Sequence, residues 1–303
     1  MSSLRSWSLL LGLVPLLGLA ERGLQEYFSR RAPGFHDYAA LAPQLLKLKP
    51  PGVPVVVAPA WAEPLVRQAT PRAFPLEELA RMDDSGFEGF LEVSLLGKHA
   101  PELAGYPVER AWRIGAFELS FRKNPQHEPP LFDFVGALAA GLVEVFSERD
   151  EQREVCPLVA HAHTSTGGLH GHIAYPRQRF ECPNGSFAGV SIIDDRDYRP
   201  RRCILAQAPR TGRLLLRFSD VPQSRYLYGF AGFSYFLQRD GAEPEVRLSA
   251  AQEGAALGEQ RLRGAAGWAR FELPAPRAAG AVELSVRELT RGPHDACFAL
   301  EAR

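Results

Sequence analysis

No charge of either sign dominates this chain, and none of the familiar catalytic signatures is present. Lys+Arg and Asp+Glu both number 35, so the formal net charge is zero. A nucleic-acid binder is expected to carry a basic footprint, so that class is excluded. G-x-S-x-G, H-E-x-x-H, G-x-G-x-x-G, a Walker A loop and C-x-x-C-H are all missing. There is no C-x-x-C pair, no internal repeat and no low-complexity tract. The lack of chemistry-bearing motifs points to a binding protein more than to an enzyme.

Turn formers, by contrast, are plentiful. Gly numbers 27 and Pro 25 in 303 residues, which suits a turn-rich fold of two domains. From Cys203 to Phe298 short β runs recur: Leu214, Leu216 and Phe218 alternate, followed by Tyr226–Asp240, Glu245–Ala250, Trp268–Pro274, Ala281–Leu289 and Ala296–Arg303. Pro209–Gly212, Asp240-Gly241, Gly264–Gly267 and Pro274–Gly280 separate them. That spacing predicts an antiparallel β-sandwich.

Upstream, Val53–Ala58 is a continuous apolar run typical of a buried parallel strand. Pro75–Arg81 reads as a helix start, and Phe90–Leu96 and Trp112–Arg122 as two further strands. This order suggests a small α/β domain over 32–124. Leu131, Phe134, Val135, Leu138, Leu142, Val145 and Phe146 fall at helical spacing, so 125–155 reads as a linker and an amphipathic bridging helix. The sandwich then occupies 156–303. The expected fold is α+β and multidomain, with a hydrophobic helix at its N-terminus.

That N-terminal segment, 1–31, has Arg5 before an apolar run from Trp7 to Ala20. Gly18-Leu19-Ala20 suits cleavage of a signal peptide before Glu21. The helical pattern runs on through Leu24, Tyr27 and Phe28, as in a signal anchor held by Trp7, Leu10, Leu13 and Leu17. Either reading places the chain on the periplasmic side of a bacterial inner membrane. The even cysteine count, Cys156, Cys182, Cys203 and Cys297, then favours disulfides over free buried thiols. Of the three possible pairings, Cys156–Cys182 with Cys203–Cys297 is favoured, because the second would join the first and last strands of the sandwich.

Three clusters invite a ligand. A hairpin turning at Thr166-Gly167 would place His161 opposite His172 and His163 opposite His170. Four imidazoles on one face could hold a transition metal; a polar hairpin with solvated rings is the bland alternative. Asp194, Asp195 and Asp197 could bind calcium, but Arg196, Arg199, Arg201 and Arg202 favour internal ion pairing. Tyr226, Tyr228, Tyr235 and Trp268 could form a sugar-stacking platform, against which stands ordinary core filling.

Arg201–Pro222, the aromatic Phe230–Leu237 stretch, Gly267–Pro274 and Ala296–Arg303 together resemble galactose-binding-like, carbohydrate-binding-module-type jelly rolls of exported bacterial proteins. The resemblance implies a two-sheet jelly roll and sugar binding or interdomain scaffolding. Its ligand residues lie in variable loops, so it assigns none here. Val53–Arg122 is more faintly similar to extracytoplasmic α/β portions of membrane glycosyltransferases, without their multi-span region. Three functions follow as expectations: an accessory subunit docked on an integral membrane protein complex, a periplasmic glycan-binding protein, or a metal-binding protein.

Overall fold

A computed structural model describes residues 15, 17–27, 33–162, 175–195, 199–233, 243–290 and 294–303. The chain divides into two compact units: Met1–Phe74 with Gly89–Lys123, and Pro75–Glu88 with Asn124–Arg303.

In the first unit, α1 (Phe35–Leu48) buries Leu41 and Leu45, and α2 (Glu63–Ala69) buries Val66. They accompany a four-stranded sheet of order β1 (Val55–Ala58), β2 (Gly89–Leu95), β4 (Phe117–Lys123) and β3 (Val108–Ile114). β1 runs parallel to β2, with Val55 beside Leu91, as the continuous apolar run predicts. β2 is buried along its whole length. Trp112–Arg122 is not a single strand. It turns at Gly115-Ala116, with Ile114 paired to Phe117. Gly115 adopts φ 58°, a left-handed conformation that glycine enters without a Cβ penalty.

The second unit is a β-sandwich. One sheet runs β16 (Ala269–Pro274), β13 (Tyr226–Phe233), β18 (Asp295–Ala302), β11 (Pro200–Gln207), β10 (Phe187–Asp194), β9 (Arg179–Glu181) and β8 (Leu158–Val159), with β5 (Phe132–Asp133) beside β18. The other runs β15 (Ala255–Arg263), β14 (Glu245–Gln252), β17 (Gly280–Glu288), β12 (Arg213–Val221), β6 (Glu144–Arg149) and β7 (Gln152–Val155). All strand pairs in both sheets are antiparallel. Period-two burial along β14 shows how alternation fills the space between them. Leu214, Leu216 and Phe218 point into a core shared with Leu248, Leu284 and Phe298.

The helix expected over Leu131–Arg149 is a correction. Only α4 (Phe134–Ala139) forms, capped by Asp133, whose Oδ1 accepts from Val135 N at 2.9 Å; α3 (Leu76–Leu79) is a single turn. Gly141 at φ 74° ends α4. Glu144–Arg149 is instead β6, because Val145 and Ser147 are buried while their neighbours are less so. Short apolar runs satisfy both the helical and the strand period.

Both disulfides take the favoured pairing. Cys156–Cys182 and Cys203–Cys297 are bonded, the latter between neighbouring strands β11 and β18. The helical residues 17–27 expose Leu17, Leu19 and Leu24. Among the described residues no helix is long and apolar enough to cross a membrane. Trp7, Leu10 and Leu13 lie outside them.

Candidate functional site

The sandwich carries a polar cleft of about 750 Å³. Three connections build it. The first is the β6–β7 hairpin, whose two central residues, Asp150 and Glu151, both take left-handed φ values of 49° and 66°. That turn twists with the strands it joins. The second is Asn184–Ser186, an Asx turn in which Asn184 Oδ1 accepts from Ser186 N at 3.0 Å and Ser186 Oγ at 2.6 Å. The third is Ala208–Thr211, leading to Gly212 at φ 98°. A Cβ on Gly212 would lie 2.0 Å from Glu148 O, so only glycine lets this loop close against β6.

Ser147, Gln152, Glu154, Asn184, Gln207 and Arg210 present hydroxyl, amide, carboxylate and guanidinium groups to the cleft. Gln207 is held from behind. Its Nε2 donates to Asp295 Oδ1 at 2.8 Å. Asp295 is buried at 4% exposure and also takes a hydrogen bond from Tyr175. Burial pushes the Asp295 carboxyl up to about 6, against the pull of those two donors. Burial and the neighbouring Asp295 charge push the Tyr175 phenol up to about 12.

The Asp295 shift predicts a pH dependence. A carboxyl raised in the folded state binds its proton more tightly there than in the unfolded chain. Its stabilising protonation is complete below about pH 4 and lost as pH rises through about 6. At about 1.4 kcal/mol per pH unit, ionised Asp295 costs the fold roughly 3 kcal/mol at neutral pH. Urea unfolding at pH 4.5 and 7.5 checks this. Asp295→Asn should flatten the difference between the two, and an unchanged difference would refute it.

The aromatic residues singled out by sequence are otherwise engaged. Tyr228 is buried, its hydroxyl bonds Asp83, and Arg270 and Arg303 lie over its ring. Tyr226 donates to Glu128 Oε2 at 2.6 Å. Trp268 is half-buried and stacks parallel to Phe230, with Arg201 also over its ring. Tyr228 is thus engaged in the structure, Tyr226 and Trp268 keep part of their surface open, and Tyr235 lies outside the described residues. Asp195 accepts from Arg201 Nε at 2.8 Å and from Arg199 N at 3.0 Å, which is internal pairing; Asp194 is exposed, and Asp197 lies outside the described residues. His161 sits in an exposed turn, while His163, His170 and His172 lie outside the described residues. Among the described residues no group of His, Cys, Asp and Glu could hold a metal ion.

No family model matches the chain, and no curated protein matches it. Solved structures do. One is the second family-51 carbohydrate-binding module with its INT domains from Clostridium perfringens ZmpB, at 10% identity and TM-score 0.28 over 38% of this chain and 26% of that one. The chain thus spans about a quarter of that protein's length. Another is a family-51 module from a Clostridium perfringens GH95 protein in complex with methyl-galactose, at 12% identity and TM-score 0.28 over 38% and 81%. A third is TmCBM61 in complex with β-1,4-galactotriose, at 12% identity and TM-score 0.23 over 38% and 82%. All three are carbohydrate-binding modules or contain one. No residue's role in this chain is taken from them.

Proposed function

We propose that this is an exported, non-catalytic glycan-binding protein whose jelly-roll-type sandwich takes carbohydrate in the polar cleft. The observation that carries this reading is the cleft's lining. Ser147, Gln152 and Gln207, on β6, β7 and β11, and Asn184 and Arg210, in two of the connections, converge on a recess of about 750 Å³. Sugars are recognised by many fixed hydrogen-bonding groups, and a cleft rich in amide, hydroxyl and charged side chains suits them. Gln207 is preorganised, because Asp295 uses one of its N–H groups and leaves its amide oxygen without a partner among the described residues. The two disulfides fit an oxidising compartment such as the periplasm.

Screening the full chain against arrayed envelope and storage glycans, with galactosides included, tests the proposal. Retention of a defined glycan class supports it. No retention of any glycan at millimolar density would end it.

A second reading is an accessory subunit docked on an integral membrane protein complex and anchored by residues 4–28. The exposed Leu17, Leu19 and Leu24 on one helical segment favour it. Deleting residues 4–28 should release the protein from native membranes and reduce co-purifying chains. Unchanged membrane association would count against the anchor.

A further inference from the structure

The first unit has a crevice of its own. It opens at the carboxyl ends of the parallel strands β1 and β2, encloses about 370 Å³, and belongs to neither the sandwich nor its cleft. Apolar groups form most of it, among them Val57, Ala58, Pro59, Leu96 and Pro101. Trp61 lines it with 57% of its surface exposed. Three polar side chains complete the lining: Lys98, His99 and Glu102.

The loop carrying these groups is anchored from below. Glu92, at mid-strand in β2, is fully buried. Its Oε1 accepts from Ala100 N at 2.6 Å. Its Oε2 accepts from Arg122 Nε at 2.5 Å and Ser120 Oγ at 3.1 Å, and lies 3.2 Å from His99 Nδ1. Ser94 Oγ is 2.9 Å from that same nitrogen. With Nδ1 accepting from Ser94 Oγ, and Arg122 Nη2 also 3.3 Å from it, the neutral ring carries its proton on Nε2, which is the N–H donor left to a ligand.

Lys98 and Glu102 carry opposite charges four residues apart in one crevice. Neither forms an ion pair among the described residues, with each other or with any other group. An apolar ring wall, a donor pair and a separate carboxylate together specify one kind of molecule. We propose that this crevice binds a small zwitterion with an apolar or aromatic body, of the α-amino acid class. The ligand carboxylate meets Lys98 and His99, its ammonium meets Glu102, and its body lies against Trp61. A free amino acid of this class fits within about 370 Å³.

Isothermal titration of the full chain with L-phenylalanine, 3-phenylpropionate and 2-phenylethylamine tests the assignment. L-Phenylalanine should bind at one site. Each analogue lacks one charge and should bind at least about tenfold more weakly. Lys98→Met should weaken L-phenylalanine about tenfold while leaving 2-phenylethylamine nearly unaffected. Trp61→Ala should weaken all three. Both side chains are exposed, so neither variant threatens the fold. No binding at millimolar concentration, equal binding of all three, or binding indifferent to both variants would overturn the assignment. Arg210→Ala, in the polar cleft, should leave this site unchanged, so its outcome is independent of the glycan reading.

Discussion

Glu92→Gln should destabilise the first unit by about 3 kcal/mol. The carboxylate is wholly buried, and the Arg122 side chain is only 11% exposed. Removing one partner of a buried pair leaves the other uncompensated, at a typical cost of about 3–5 kcal/mol. Arg122 retains the Tyr106 carbonyl at 3.1 Å, which argues for the lower end of that range. Glu92→Leu with Arg122→Met removes both charges together, and should recover most of the loss. Hydrogen exchange of amides in β2 and β4 gives the local free energy directly. Burial pushes the Glu92 carboxyl up, but the donors Ala100 N and Arg122 outweigh it and hold it below the usual carboxylate range. Its contribution is therefore present above the unfolded pKa and lost as pH falls through the lower folded value, opposite in sign to Asp295. A loss under about 1 kcal/mol in Glu92→Gln would mean that the carboxylate bears no such load.

Opening the disulfides should produce the second large effect. Cys203–Cys297 closes a sequence separation of 94 residues, and Cys156–Cys182 one of 26. A cross-link restricts the unfolded chain more as its loop lengthens. The loop-entropy relation gives about 4.7 kcal/mol for the longer loop and about 3.5 kcal/mol for the shorter. Cys203→Ala with Cys297→Ala removes the first cleanly, and Cys156→Ala with Cys182→Ala the second. Urea unfolding of each pair, followed by sandwich-specific exchange in β12 and β17, should rank them in that order. Equal losses, or none, would contradict the loop argument. All four sulfurs are buried, so mild reductant should act only slowly on the folded chain.

Which parts of this structure were legible in the sequence depends on how local their cause is. The alternation of Leu214, Leu216 and Phe218 announces an inward strand face by itself, and those three side chains do meet in the core. The unbroken Val53–Ala58 run likewise announces a buried parallel strand, found beside β2. The stretch from Leu131 to Arg149 misleads, because Val145 and Phe146 continue a helical period up to the point where Gly141 has already ended the helix. Trp112–Arg122 misleads in a similar way, since a single glycine at a two-residue turn is a faint signal.

The polar cleft was not legible at all. Ser147, Asn184, Gln207 and Arg210 are common residue types, and only the sandwich topology brings their loops together. The Gln207–Asp295 bond spans 88 residues. The aromatic residues drew attention instead, yet Tyr228 and Trp268 are occupied by arginines and by each other's neighbours. Glu92 shows the same blindness: a glutamate within an apolar strand gives no hint of the Arg122, Ser120 and Ala100 donors that surround it.

The central claim is that carbohydrate binds in the polar cleft and not on the aromatic strip. Isothermal titration with the best-retained glycan decides it. Wild-type protein should bind at one site, Gln207→Ala and Arg210→Ala should each weaken binding about tenfold, and Tyr226→Ala should change it little. Undiminished affinity in both cleft variants, with affinity lost in Tyr226→Ala, would contradict the account and move the site to β13.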